Sequence, residues 1–165
     1  MGIPIEALIL AGFALAHASW SISDVEPGEL LIPLAVIETQ GQRQLIRFEA
    51  NSQEEAITRG KRAMTDAQET SDAWAFAREG LMTIGSKRED VLVVEFWARG
   101  MSQSAVLDQR FRPVDSSHSF LLIGDPEVAL AGQVLDSASA RPLLDNVFEG
   151  VRSHSKVAPL WDGWH

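Results

Sequence analysis

The spacing of apolar and polar positions changes period several times along the chain, and each change marks an expected element. Ala7 to Ala16 is a ten-residue apolar run, and with its flanks it predicts a helix from about Pro4 to Ala18. Pro4 suits a first helical turn and Glu6 complements the helix dipole there. A helix that is apolar on nearly every side needs a sheet or another chain to cover it. Glu29–Glu38 and Arg43–Glu49 read as strands flanking the tight hairpin Thr39-Gln40-Gly41-Gln42, with Glu38 opposite Arg43. Pro33 withholds a ladder donor and pushes its strand toward a sheet edge. Asn51-Ser52-Gln53-Glu54 resembles a capping box, and Ala56, Ile57, Gly60, Met64 and Ala67 recur at helical spacing, which predicts an amphipathic helix over 52–69.

Three strand-like runs follow, Ala73–Ile84, Val91–Arg99 and Gln103–Arg112, joined by Gly85–Asp90 and by the turn Gly100-Met101. They predict an antiparallel meander. Ser119–Ile123 reads as one more buried strand. Asp125-Pro126-Glu127 places a cap, a proline and an acid in the order that starts a helix, here through Leu135. A last helix begins around Pro142 on the stripe Leu143, Leu144, Val147, Phe148 and Val151.

The resulting order, α-β-β-α-β-β-β-β-α-α with about six strands, predicts one α+β domain over 1–165. Its mostly antiparallel sheet carries helices mainly on one face. The first seven elements are similar in order to the profilin-like, roadblock-type arrangement of small regulatory subunits. That is a likeness of topology without a shared motif, and it implies no function.

Composition then narrows the chemistry. Among 165 residues there is no cysteine, which removes disulfides, thiolate metal sites and cysteine nucleophiles together. The net charge is -9, a sign that disfavours binding to phosphate backbones and favours solubility or a basic partner. Residues 1–42 hold five acids and no Lys or Arg, whereas 73–113 is the one stretch with more bases than acids. The apolar run of the first segment, followed by Ala16-His17-Ala18, imitates a secretory signal with its cleavage site. No Lys or Arg precedes it and Glu6 does, so it is read as a core helix of a cytoplasmic protein. At ten residues it is about half the roughly 20 that a membrane span requires.

Motifs that would name a reaction fail on inspection. Gly80–Lys87 has phosphate-loop glycine spacing but reverses the Gly-Lys-Ser/Thr order and lies in a strand. His17, His118, His154 and His165 lack metal-ligand spacing. Asp115-Ser116-Ser117-His118 gathers an acid, hydroxyls and an imidazole, as a nucleophile with its base would need, but these are also ordinary turn residues. No cofactor, metal, nucleic acid or membrane is expected.

The informative feature is one face of the meander. With Gly100-Met101 as the turn, Glu95 opposes Val106, Val93 opposes Asp108, and Val91 opposes Arg110. Leu92, Val94, Phe96 and Ala98 then share the core side with Ala105, Leu107 and Phe111. Glu95, Trp97, Arg99, Asp108, Arg110 and Arg112 share the other. Pairing Ile84 with Val91 would set Arg78 beside Trp97. This mixture has interface character, although a self-satisfied charged surface has the same composition. The tail 153–165 carries Trp161 and Trp164, which either fold back as a lid or dock on another chain. The expected function is a protein-binding accessory, inhibitory or immunity-type subunit, or a homo-oligomer. It would act through Arg78, Glu95, Trp97, Arg99, Asp108, Arg110, Trp161 and Trp164, with no catalytic residue. The alternative is a small-molecule-binding domain or enzyme with a pocket between sheet and helices near Asp115 and His118.

Overall fold

The computed structural model describes residues 2–165. It is an α+β fold of three helices, α1 (Ile5–Ile22), α2 (Gln53–Ala67) and α3 (Ser137–Arg152), with seven strands. These are β1 (Leu34–Thr39), β2 (Gln42–Arg47), β3 (Ala73–Ile84), β4 (Lys87–Ala98), β5 (Ala105–Arg112), β6 (Leu121–Leu130) and β7 (Gln133–Val134). All pair antiparallel in one sheet of order β2-β1-β3-β4-β5-β6-β7.

Period-two alternation sorts the sheet into two faces. Ala73, Ala75 and Ala77 of β3, Leu92, Val94 and Phe96 of β4, and Ala105, Leu107 and Phe111 of β5 turn to one side. There they bury against α1 and α3. The alanines of β3 meet Ala7, Ala11, Ala14 and Ala18 of α1 in the same core, so short side chains let this helix lie close to the sheet. α1 is long and apolar enough to cross a membrane, and 61% of it is buried inside the fold. Its other flank crosses α3 at Gly12 and Gly150. A β-carbon on Gly12 would stand 1.8 Å from the Val147 carbonyl oxygen, and one on Gly150 2.0 Å from that of Ile9.

α2 lies on the opposite face. Its Ser52 cap accepts the Glu55 amide at 3.1 Å, and Met64 meets Ala35, Trp74, Phe76 and Trp97 in a second core. That core corrects the expected meander face: Trp97 is only 5% exposed and its indole N–H donates to the Met101 carbonyl at 3.0 Å. Arg78 does not lie beside it. β3 and β4 meet in a two-residue turn, with Ile84 opposite Lys87, so Trp74 faces Trp97 and Arg78 faces Val93.

Three more expectations change. The strand expected from Glu29 begins only at Leu34, because Pro33 has no N–H and the Leu31 amide donates to the Glu79 carboxylate at 2.9 Å instead. Asp125-Pro126-Glu127 starts no helix. β6 runs through it with an irregularity opposite Gln109: Asp108 pairs with Glu127 but Arg110 with Ile123. Gly124 takes φ +67° there, and the buried Gln109 amide donates to the Ile123 and Gly124 carbonyls that the ladder releases, at 3.3 and 3.0 Å. The last helix starts one and a half turns before Pro142, at Ser137. Its Asp136 cap accepts the Ser139 amide at 2.8 Å. The totals are therefore seven strands and three helices.

Candidate interaction surface

Because α2 packs over β1, β3 and the Trp97 end of β4, the rest of the same face on β4, β5 and β6 is left without a helix. Its residues fall in cross-strand rows. Gly80, Val91, Arg110 and Ile123 form one; Arg78, Val93, Asp108 and Glu127 form the next; Phe76, Glu95, Val106 and Ala129 form the third. The pairings of Val91, Val93 and Glu95 across to β5 are those that the sequence register predicts. A shallow hollow of about 430 Å³ opens over these rows, with valines on its floor and Lys61 of α2, Arg78, Glu95 and Asp108 among its walls.

Charges around the hollow are unevenly satisfied. Arg110 pairs with Glu89 at 3.2 Å, and Glu95 accepts the Ser104 hydroxyl at 2.6 Å. Among the described residues Arg78, Asp108 and Glu127 have no ion-pair partner within 4 Å. Burial pushes the Asp108 carboxyl above the usual range, the neighbouring Glu127 charge adds to this, and Arg78 opposes it. A half-buried guanidinium and two carboxylates thus stand among Val91, Val93 and Val106 with their charges uncompensated at close range.

The remaining expected site residues go elsewhere. Arg99 is exposed, donates to the Ser71 carbonyl, approaches Asp72 at 3.8 Å and lies over the Trp97 ring at 5.9 Å. It ties the corner of β3 and β4 together. Trp161 and Trp164 do not reach outward: they sit in a short 3₁₀ turn, Trp161–Trp164, whose rings pack back on the domain. Trp164 meets Phe120 edge-on at 5.3 Å. Of the two fates open to the tail, the fold shows the lid, with both indole rings left half-buried.

Asp115 and His118 form a solvent-exposed turn. Asp115 Oδ1 accepts the amides of Ser117 and His118 at 2.8 and 2.7 Å, which holds its carboxyl down at about 2. Both Ser117 Oγ and Asp115 approach the same imidazole nitrogen, Nδ1. A nucleophile relay needs the hydroxyl and the acid on opposite nitrogens, so this cluster is wired as a turn.

One further pair was not legible in the sequence. His17 Nδ1 and His154 Nε2 lie 3.0 Å apart where α1 meets the end of α3, with Phe13 and Trp20 packed on the rings. Their outer nitrogens, His17 Nε2 and His154 Nδ1, are buried without partners. Burial lowers His17 to about 4, with His154 and Arg47 adding to the shift. His154 is also lowered, by burial foremost, with the Lys156 charge also lowering it and a backbone hydrogen bond opposing. Among the described residues no three His, Asp or Glu side chains converge as a metal site would require.

Lys61, Met82, Ile123 and Glu127 are surface residues that sequence reasoning missed. Glu127 was hidden by the helix-start pattern around it, and the signal for the strand was Leu122 and Val128 continuing on either side of Gly124 and Pro126. No protein-family model, no curated protein and no solved structure matches this chain.

Proposed function

We propose that the protein is a non-catalytic binding subunit, cytoplasmic and free of cofactor, whose docking surface is the bare face of β3–β6. A single observation carries this: Arg78, Asp108 and Glu127 stand unpaired among valines on a sheet face that the chain's own helices leave open. The half-buried charges of Arg78 and Asp108, and the exposed Glu127 beside them, gain from a partner that supplies the opposite sign. The alternation of Val91, Val93 and Val106 with those charges suits a protein surface of like pattern, with apolar contact and ion pairs interleaved. The reading retains Arg78, Glu95, Asp108 and Arg110 from the sequence and drops Trp97, Arg99, Trp161 and Trp164, which hold the domain together.

Lysine at Val93 or at Val106 tests it. Both side chains point away from the α1–α3 core and are only half-buried, so each variant is expected to stay folded by circular dichroism. The native assembly isolated from cells at natural abundance is expected to fall to the mass of the single 18.1 kDa chain. A folded variant whose assembly keeps its mass overturns the proposal.

A further inference from the structure

On the reading that the bare face of β3–β6 docks a protein, we infer that its occupant is a single amphipathic helix of another protein, seated beside α2. One face of the sheet carries two helices, α1 and α3, of 18 and 16 residues. The other carries α2 alone. Packed helices lie about 8–10 Å apart and strands about 4.8 Å apart, so neighbouring helices stand roughly two strands from one another on a sheet. α2 lies over β1 and β3, with Gly60 against the Phe76 ring. Two strands further on are β4 and β5, where the hollow opens over Val91, Val93 and Val106. A flat partner sheet would be held off, because α2 is about as thick as the gap of about 10 Å between packed sheets. A lone helix passes beside α2 and uses it as a wall.

The slot is closed at one end and open at the other. Met64 of α2 meets Trp74 and Trp97 at the closed end. The first turn of α2 is held at the β1 flank, where the Gln53 amide donates to the Leu31 carbonyl, so the slot widens toward the β3–β4 turn. Gly80 sets no side chain of its own there, and the Arg78 guanidinium lies across it instead. That cation rides on a flexible stem and can turn to a carboxylate of the incoming helix.

Charge sets the chemistry of the helix. Toward the β3–β4 turn, Lys87, Arg110 and Arg112 outnumber Glu89; toward the closed end, Glu95, Asp108 and Glu127 outnumber Lys61 and Arg78. Five cations thus face four carboxylates on this strip, in a chain of net charge -9. The helix that fits carries an apolar stripe at i, i+3 and i+4 for the valines. Acidic side chains flank it over Lys87 and Arg112, and a basic one lies over Asp108 and Glu127.

Photo-cross-linking in the native assembly tests the inference, with benzoylphenylalanine placed singly at Met82, at Glu127 and, as a control, at Leu30, and mass spectrometry of the joined peptides. Arg78, in the row of Glu127, and Met82 are four residues apart on β3, a span of about 13 Å. Both sites are therefore expected to label one segment of another protein at positions about nine residues apart, the helical rise being roughly 1.5 Å per residue. A separation of about four residues would mean an extended strand. That result, labels on unconnected segments, or labels on a second copy of this chain would each overturn the inference while leaving the docking reading standing. The Lys87→Glu, Arg112→Glu double variant is expected to cut the Met82 yield several-fold, and an unchanged yield overturns the acid-bearing helix. Labelling at Met82 and Glu127 no stronger than at Leu30 overturns the inference; if Val93→Lys also leaves the mass of the assembly unchanged, the docking reading of the face falls with it.

Discussion

Gly12→Ala is expected to lower unfolding stability by about 3 kcal/mol or more, measured by urea denaturation. In an exposed helix the same change would stabilise by roughly 1 kcal/mol, because alanine is the better helix former. Here the new β-carbon would stand 1.8 Å from the Val147 carbonyl oxygen and 2.8 Å from its carbon, and both atoms belong to the backbone of α3. No rotamer relieves such a contact, so the helices must separate and the interdigitated core between them must open. Gly150→Ala meets the Ile9 carbonyl in the reciprocal way at 2.0 Å and is expected to cost about as much. A neutral or stabilising result at either position would mean that α1 and α3 do not cross at these glycines.

The second large effect is a loss of stability in mild acid, set by the His17–His154 contact. Two imidazoles share a hydrogen bond as neutral rings, one donating and one accepting. Arg47 on β2 and Lys156 beyond α3 disfavour a further positive charge beside them. His17 titrates at about 4 in the fold and at 6.5 when unfolded. Between those values the unfolded chain binds more protons than the native one, so stability rises with pH through this window. It is fully present above about 6.5 and lost as pH falls toward 4. For a half-buried ring the loss is about 2 kcal/mol once solvent screening is allowed for. His154 shifts in the same direction and adds to it. The carboxyls of Glu79, Asp90 and Asp108 are raised and therefore push the other way, since their native forms take up protons more readily. Thermal melts at pH 7.5 and 4.5 are expected to differ markedly for the wild type and much less for a His17→Leu, His154→Leu double variant. Equal losses in both proteins would place the acid sensitivity elsewhere.

Legibility in the sequence followed how local each determinant is. The hairpin at Thr39–Gln42, the Ser52 cap and the β4–β5 register rest on neighbours within a few residues, and each appears in the fold as its residues imply. The Asp125-Pro126-Glu127 pattern misled because a cap, a proline and an acid serve a bulge as well as a helix start. Only Gln109, sixteen residues earlier on another strand, decides between them by satisfying the released carbonyls. Trp97 misled for a comparable reason. Alternation assigns it correctly to the side opposite Phe96, but nothing local says that α2 returns across the sheet to cover that end of the face. The unpaired state of Arg78, Asp108 and Glu127 depends on three strands at once, and the His17–His154 contact joins positions 137 residues apart.

Oxidative footprinting of the native assembly tests most directly whether the bare sheet face is the docking surface. Met82 is the natural reporter, because it is half-buried and borders the hollow. Met82 and Val106, which lines the same hollow, are expected to be labelled several-fold more slowly in the assembly than in the separated chain, while the exposed Leu30 and Ile32 are labelled equally in both. Protection of Leu30 and Ile32 with Met82 and Val106 unchanged would contradict the account.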